Sequence, residues 1–234
     1  MLGTYTFSKL ISNVESNTSG WLDSASGVGG IQDNNNLALE KSLSSFDSRH
    51  RFVLSYVVDL PVGKGKKFFP GVQGFTDKVV SGWGVNGVTT LQMGFPLALT
   101  AGPNSYIFGG GLRPNVVAGC NPVKSGAVQD RLLAYFNTSC FSFPPPYTYG
   151  TESRTDPQLR GPGIANYDFA LFKRTPITER FNLEFRAEVF NLFNRVQFGT
   201  PDRTFTTAAN STFGRITTQA NTPRLIQLAL RLRF

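Results

Sequence analysis

From Arg224 to Phe234 the chain reads RLIQLALRLRF, with apolar and polar residues in alternation. Successive side chains of a strand point to opposite faces, so Ile226, Leu228, Leu230, Leu232 and Phe234 share one side, while Gln227, Arg231 and Arg233 share the other. The same two-residue period recurs upstream. Phe181, Leu183, Phe185, Ala187 and Val189 alternate with Asn182, Glu184, Arg186 and Glu188, which makes one face apolar and puts three charges on the other. Phe52, Leu54, Tyr56, Val58 and Leu60 form a similar face, although the opposite positions Arg51, Val53, Ser55, Val57 and Asp59 are less cleanly polar. Together with residues 2–11, 83–95 and 164–173, the segments 51–60, 180–190 and 224–234 give six candidate strands of the ~10 residues that a tilted membrane strand requires. The stretch between Lys78 and Arg113 carries no formal charge, yet Gly82, Gly84, Gly87, Gly94 and Pro96 make it a poor helix. Val85, Val88, Thr89 and Thr90 suit a strand followed by a loop instead.

The connections alternate in length. Residues 12–50, 97–163 and 191–223 form long links rich in Asn, Ser, Thr, Gly and Pro; 61–82 is intermediate, and 174–179 reads as a tight turn. An up-and-down membrane barrel has this asymmetry, with short turns on one rim and large loops on the other. The predicted fold class is therefore all-β: antiparallel up-and-down strands over residues 1–234, forming part of a large transmembrane β-barrel. Six strands cannot close such a barrel, for which the smallest natural examples use ~8, so an open portion of a larger wall is expected.

Composition narrows the class. A hydrophobic content of 40% without unbroken apolar runs of ~20 residues excludes a helical membrane protein. The net charge of +8 would suit nucleic acid or an anionic surface, but Lys and Arg are scattered through strands and turns, so no nucleic-acid partner is expected.

Two blocks carry a resemblance. Asp47-Ser48-Arg49-His50-Arg51-Phe52-Val53-Leu54-Ser55-Tyr56, continuing to Asp59-Leu60-Pro61, and Phe181-Asn182-Leu183-Glu184-Phe185-Arg186-Ala187-Glu188-Val189-Phe190-Asn191-Leu192-Phe193-Asn194 resemble the closing strands of TonB-dependent outer-membrane receptors. The likeness is closest to the Oar-like group with a carboxypeptidase-regulatory-like domain. Phe213-Gly214-Arg215-Ile216 and the final RLIQLALRLRF extend it over nearly the whole chain. The resemblance implies a barrel of roughly 22 strands around a plug, importing a scarce ligand with energy delivered by TonB. The terminal Phe234 resembles the signal read by the barrel-insertion machinery. Implied partners are outer-membrane lipid, that machinery, the TonB complex through an N-terminal part absent from this sequence, and an unknown small ligand. No secretory leader is visible, so the expectation is a carboxyl-terminal portion of a longer, signal-bearing chain in the outer membrane of a Gram-negative-type bacterium.

Site chemistry is sparse. No cofactor, metal or catalytic residue is expected. His50 is the one histidine, which excludes a His-rich metal centre, and no nucleophile is marked by its context; an ordinary hydrogen bond in the lumen or at the rim is its expected role. Glu184 and Glu188 stand roughly 13 Å apart along a strand, too far for a glycosidase pair. With Asn182, Arg186, Arg231 and Arg233 they read as a lumen-facing charge ladder. Cys120 and Cys140 share the longest loop, where a disulfide is the favoured reading and two free thiols the other. Tyr106, Phe108, Tyr135, Tyr147 and Tyr149 are the candidate ligand contacts of that loop. The Pro144–Tyr147 run reads as a stiff spacer, the Asn-Xaa-Ser/Thr triplets at Asn17, Asn137 and Asn210 carry no assigned role, and neither the basic Gly63–Lys67 run nor the Gly109–Gly111 tip has phosphate-loop spacing. Two alternatives stand beside transport: an exported soluble β-sandwich binding glycans, and a truncated fragment without function.

Overall fold

A computed structural model describes residues 1–15, 30–102 and 111–234. Its frame is a six-stranded antiparallel sheet. The strands are β1 (Leu2–Phe7), β2 (His50–Asp59), β3 (Trp83–Gln92), β4 (Ile164–Pro176), β5 (Asn182–Phe190) and β6 (Leu225–Arg233), each hydrogen-bonded to the next in sequence. The sheet is open, with β1 and β6 as its edges. Three two-stranded sheets complete the described strands, and a short helix, α1 (Gly74–Val80), interrupts the link between β2 and β3. No described helix is long and apolar enough to cross a membrane, which says nothing of crossing by strands.

The register carries one parity across all six strands, because residues opposite each other share a face. Tyr5 stands opposite Phe52, Val58 opposite Val85, Val85 opposite Leu171, and Ala187 opposite both Leu171 and Leu228. Most of the large apolar residues of the strands thus merge into one surface, which also takes in Lys173, while Val57, Val88 and Phe172 stand on the other. The other face collects Thr4, Ser55, Asn86, Asp168, Arg174, Glu184, Glu188, Gln227 and Arg231 in the same way. On β6, Leu228 and Leu230 are each 68% exposed, so nothing in the described chain covers the apolar face there. A β-sandwich would lay a second sheet over that face; none is present among the described residues.

Glycines in β3 are filled by neighbours. A Cβ on Gly84 would collide with the Phe172 ring, and one on Gly87 with the Tyr56 ring and the Asp168 carbonyl. An aromatic from each adjacent strand therefore occupies the space that a side chain would take.

Three strand ends differ from those expected by three residues or more. β1 ends at Phe7, not at residue 11, because Ile11–Ser12 leaves the ladder and pairs with Ser42–Leu43. β3 ends at Gln92, three residues short of the expected 95, where Gly94 packs against the Gly161 carbonyl too closely for any side chain. β4 runs on to Pro176, so the tight turn moves to residues 177–181, closed by the Ile177 amide donating to the Phe181 carbonyl. Arg174 and Thr175 stay in the strand because Glu184 and Leu183 of β5 face them.

All three long links leave from one rim, that of Phe7, His50, Gln92, Ile164, Phe190 and Leu225. They fold together into a crown. Leu97, Leu99, Tyr135, Phe136, Cys140, Phe141 and Leu159 of the middle link meet Phe213 and Ile216 of the last in a buried cluster. Its phenylalanines pack edge to face, Phe136 on Phe213 at 5.1 Å and Phe141 on Phe213 at 5.8 Å between centroids, the arrangement that the ring quadrupoles favour. The molecule's described hydrophobic core thus lies in its connections.

Candidate functional site

The polar face and the crown each assemble charged groups. On the sheet, Glu184 is buried at 5% exposure beneath three arginines. Arg233 approaches it to 3.0 Å, Arg174 to 3.6 Å and Arg186 to 3.7 Å, and Arg186 also holds Glu188 at 2.8 Å. Arg231 stands directly opposite Glu184, and Asn182 opposite Arg233. All six residues of the expected ladder therefore share one face. Two adjacent strands supply the counter-charges, and Arg174, unremarked in the sequence, is one of them. The guanidinium of Arg174 also lies 4.8 Å from the Phe172 ring centre, which fixes its stem.

In the crown, three arginines of the middle link each hold one carboxylate of the first. Arg154, fully buried, donates to Glu15 at 2.9 Å, to the Ser12 hydroxyl and carbonyl at 2.8 Å each, and to the Glu40 carbonyl at 3.0 Å. Arg113 pairs with Glu40 and donates to the Gly30 carbonyl, while Gln32 bridges the two links through the Arg113 amide and the Gly150 carbonyl. Arg160 pairs with Asp47, whose other oxygen accepts from the Leu10 amide. A buried ion pair is tolerable only when its remaining hydrogen-bonding positions are filled, and these largely are. Burial alone would raise the Glu15 carboxyl, but hydrogen bonds from Ser12, Ser44, Ser45 and Arg154 outweigh it and hold the group at about 2.

Glu152 is the opposite case. One of its oxygens accepts from the Ser153 amide and hydroxyl at 2.9 Å, and the other has no hydrogen-bond partner. Desolvation, reinforced by Asp156, pushes its carboxyl up to about 7. Burial also raises Asp156, although the Gln158 and Leu159 amides donate to it.

The remaining expected residues fall in several places. Cys120 and Cys140 are joined in a disulfide with Cα atoms 5.4 Å apart. Tyr135, expected at a ligand surface, is instead part of the crown core, 6% exposed, with its hydroxyl donating to the Arg160 carbonyl and Arg131 against its ring. The cluster of large apolar neighbours draws the ring inward. Tyr147 and Tyr149 stay exposed, Tyr147 in a turn at φ 62° that follows the proline run. Tyr106 and Phe108 lie outside the described residues, as do Asn17 and residues 109–110 of the glycine tip. Asn137 accepts from the Ser139 amide and so serves a local turn. His50 sits at the long-loop rim, with Nδ1 2.8 Å from the Tyr5 hydroxyl and its ring 5.1 Å from that of Phe7. Among the described residues no group of three or more His, Cys, Asp or Glu could hold a metal ion. The clefts below the crown have volumes of about 350 to 570 Å³. They are lined largely by residues 92–95, 158–164 and 195–200.

A protein-family model described as "Outer membrane beta barrel domain" matches residues 1–227. No curated protein and no solved structure matches the chain.

Proposed function

Since the chain belongs to the outer membrane β-barrel domain family, we propose that its sheet is a length of transporter wall, with the apolar face in lipid, the polar face toward the lumen and the crown outside the cell. An outer-membrane location follows from the family. The finer reading is a TonB-dependent receptor of the Oar-like group, drawing a scarce small ligand past a plug into the cell. One observation carries the wall reading: an unbroken register sorts six strands into one mainly apolar face and one that gathers most of the charge. A strand in lipid must keep its backbone paired, so β1 and β6 require further strands beside them to close the wall. In this setting the Glu184 ladder lines the passage, and the exposed Tyr147 and Tyr149 stand on the side from which ligand arrives.

Cysteine placed singly at Leu228 and Gln227 tests the wall in outer membranes, read with a water-soluble maleimide and a lipid-phase quencher. The maleimide should reach position 227 and the quencher position 228. Equal access of the maleimide to both would refute the orientation. Loss of ligand accumulation on removal of TonB, with binding at the surface retained, separates energised import from passive passage; unchanged accumulation would refute the TonB reading.

A further inference from the structure

We propose that a cleft at the outer end of β1, on the apolar side of the wall, binds the phosphate of a phosphorylated lipid in the outer leaflet; the inference rests on the membrane orientation proposed above. The cleft has a volume of about 540 Å³ and lies between the first and middle links. Its apolar wall is Phe7, Leu43 and Met93, and its cations are Lys9, Arg49 and Arg160. One carboxylate, Asp47, also lines it, but it is 1% exposed and already paired with Arg160. Lys9 and Arg49 therefore set the sign of the cleft. Among the described residues no carboxylate is placed within ion-pair distance of either.

Position selects a lipid over a free anion. Phe7 pairs with His50 in the register, and Tyr5 with Phe52, so these residues belong to the apolar face. Tyr5 and Phe7 are 63% and 62% exposed, and with His50, on which Tyr5 stacks and against which Phe7 tilts, they make an aromatic group at the long-loop end of the strand. Aromatic residues at this height mark the boundary between hydrocarbon and headgroups. The Arg49 guanidinium rests 6.0 Å from the Phe7 ring centre, just beyond that boundary. A molecule that fits has acyl chains to lie on the apolar face and an anionic headgroup at the level of Lys9 and Arg49. Basic residues at a membrane surface attract anionic headgroups, and their effect falls off within a Debye length, so the rim on which they stand matters.

The test is flotation of the full chain with phosphatidylcholine vesicles, with and without diphosphoryl lipid A. The unaltered chain should prefer the vesicles carrying the phosphorylated lipid, and K9Q/R49Q should lower that preference roughly twenty-five-fold, from about fivefold per cation. K64Q/K66Q removes the same charge from the opposite rim and should leave the preference unchanged, as should K9R/R49K, which keeps the charge at the cleft. A preference that survives K9Q/R49Q overturns the site. Displacement of the lipid by inorganic phosphate at equal concentration would show a free-anion site and overturn the lipid assignment. Flotation without preference refutes the cleft alone; the orientation on which it rests is refuted separately, by equal access of the maleimide to positions 227 and 228.

Discussion

Replacing Arg154 by methionine tests whether charge pairing holds the crown together. The side chain is fully buried and spends its donors on Glu15, Ser12 and the Glu40 carbonyl. Methionine fills much of the volume but leaves the Glu15 carboxylate, itself 5% exposed, without its cation. Removing one partner of a buried pair costs about 3 to 5 kcal/mol, because the stranded charge keeps its desolvation penalty. At 1.36 kcal/mol per decade this corresponds to between about a hundredfold and a few thousandfold faster opening. Hydrogen exchange at the Ser45 amide, which donates to Glu15 at 3.0 Å, reports that opening directly. The double variant E15Q/R154M removes the buried charge as well and should recover most of the protection. Acceleration of less than about threefold in R154M, smaller than the effect of many surface changes, would show that the clamp does not hold the crown. A double variant as unprotected as the single one would refute the argument from stranded charge.

Other outcomes follow from the same geometry. Leu230→Arg puts a cation on the apolar face and should impair membrane assembly by ~2 to 4 kcal/mol if the site lies near the midplane, while Gln227→Arg on the other face should matter little; a heat-modifiability assay on outer membranes reads both. Cys120→Ser with Cys140→Ser opens a link of 20 residues. Chain entropy then gives a loss of about 3 kcal/mol, measurable as a lowered urea midpoint of the crown. Glu152, with its carboxyl at about 7 in the folded crown against 4.5 for the free group, contributes stability that is fully present below the lower value and is lost as pH rises through the upper. The loss should reach about 3 kcal/mol, and E152Q should remove most of the difference between urea midpoints at about pH 5 and about pH 8.

The strands were legible in the sequence because a two-residue period survives wherever one face meets an apolar phase. Five strands therefore fell within three residues of their observed ends, and the charged face followed from parity alone. β1 reads as longer than it is because Ser8, Lys9, Leu10 and Ile11 look like strand material, although residues 8–10 belong to no strand and Ile11 pairs in a different small sheet. The crown was opaque for another reason. Leu97, Phe136, Leu159 and Phe213 follow no period, so their cluster exists only once the links fold over one another. Its ion pairs join residues 73 to 139 positions apart, and no local spacing foretells that Arg154 meets Glu15. Tyr135 was misjudged on that account: a tyrosine in a polar link resembles a ligand contact until the apolar neighbours that bury it are known.

The unbroken register has an evolutionary consequence. Each pair of wall strands keeps a constant offset from end to end, with no bulge to absorb an extra residue. A single inserted or deleted residue inside a strand would turn every later side chain of that strand to the wrong face, carrying arginines onto the apolar side and leucines onto the charged one. Changes of length in the wall are therefore tolerated only in twos, or at its ends. The crown has no such arithmetic, and it is there that related chains can diverge in size while the wall stays in step.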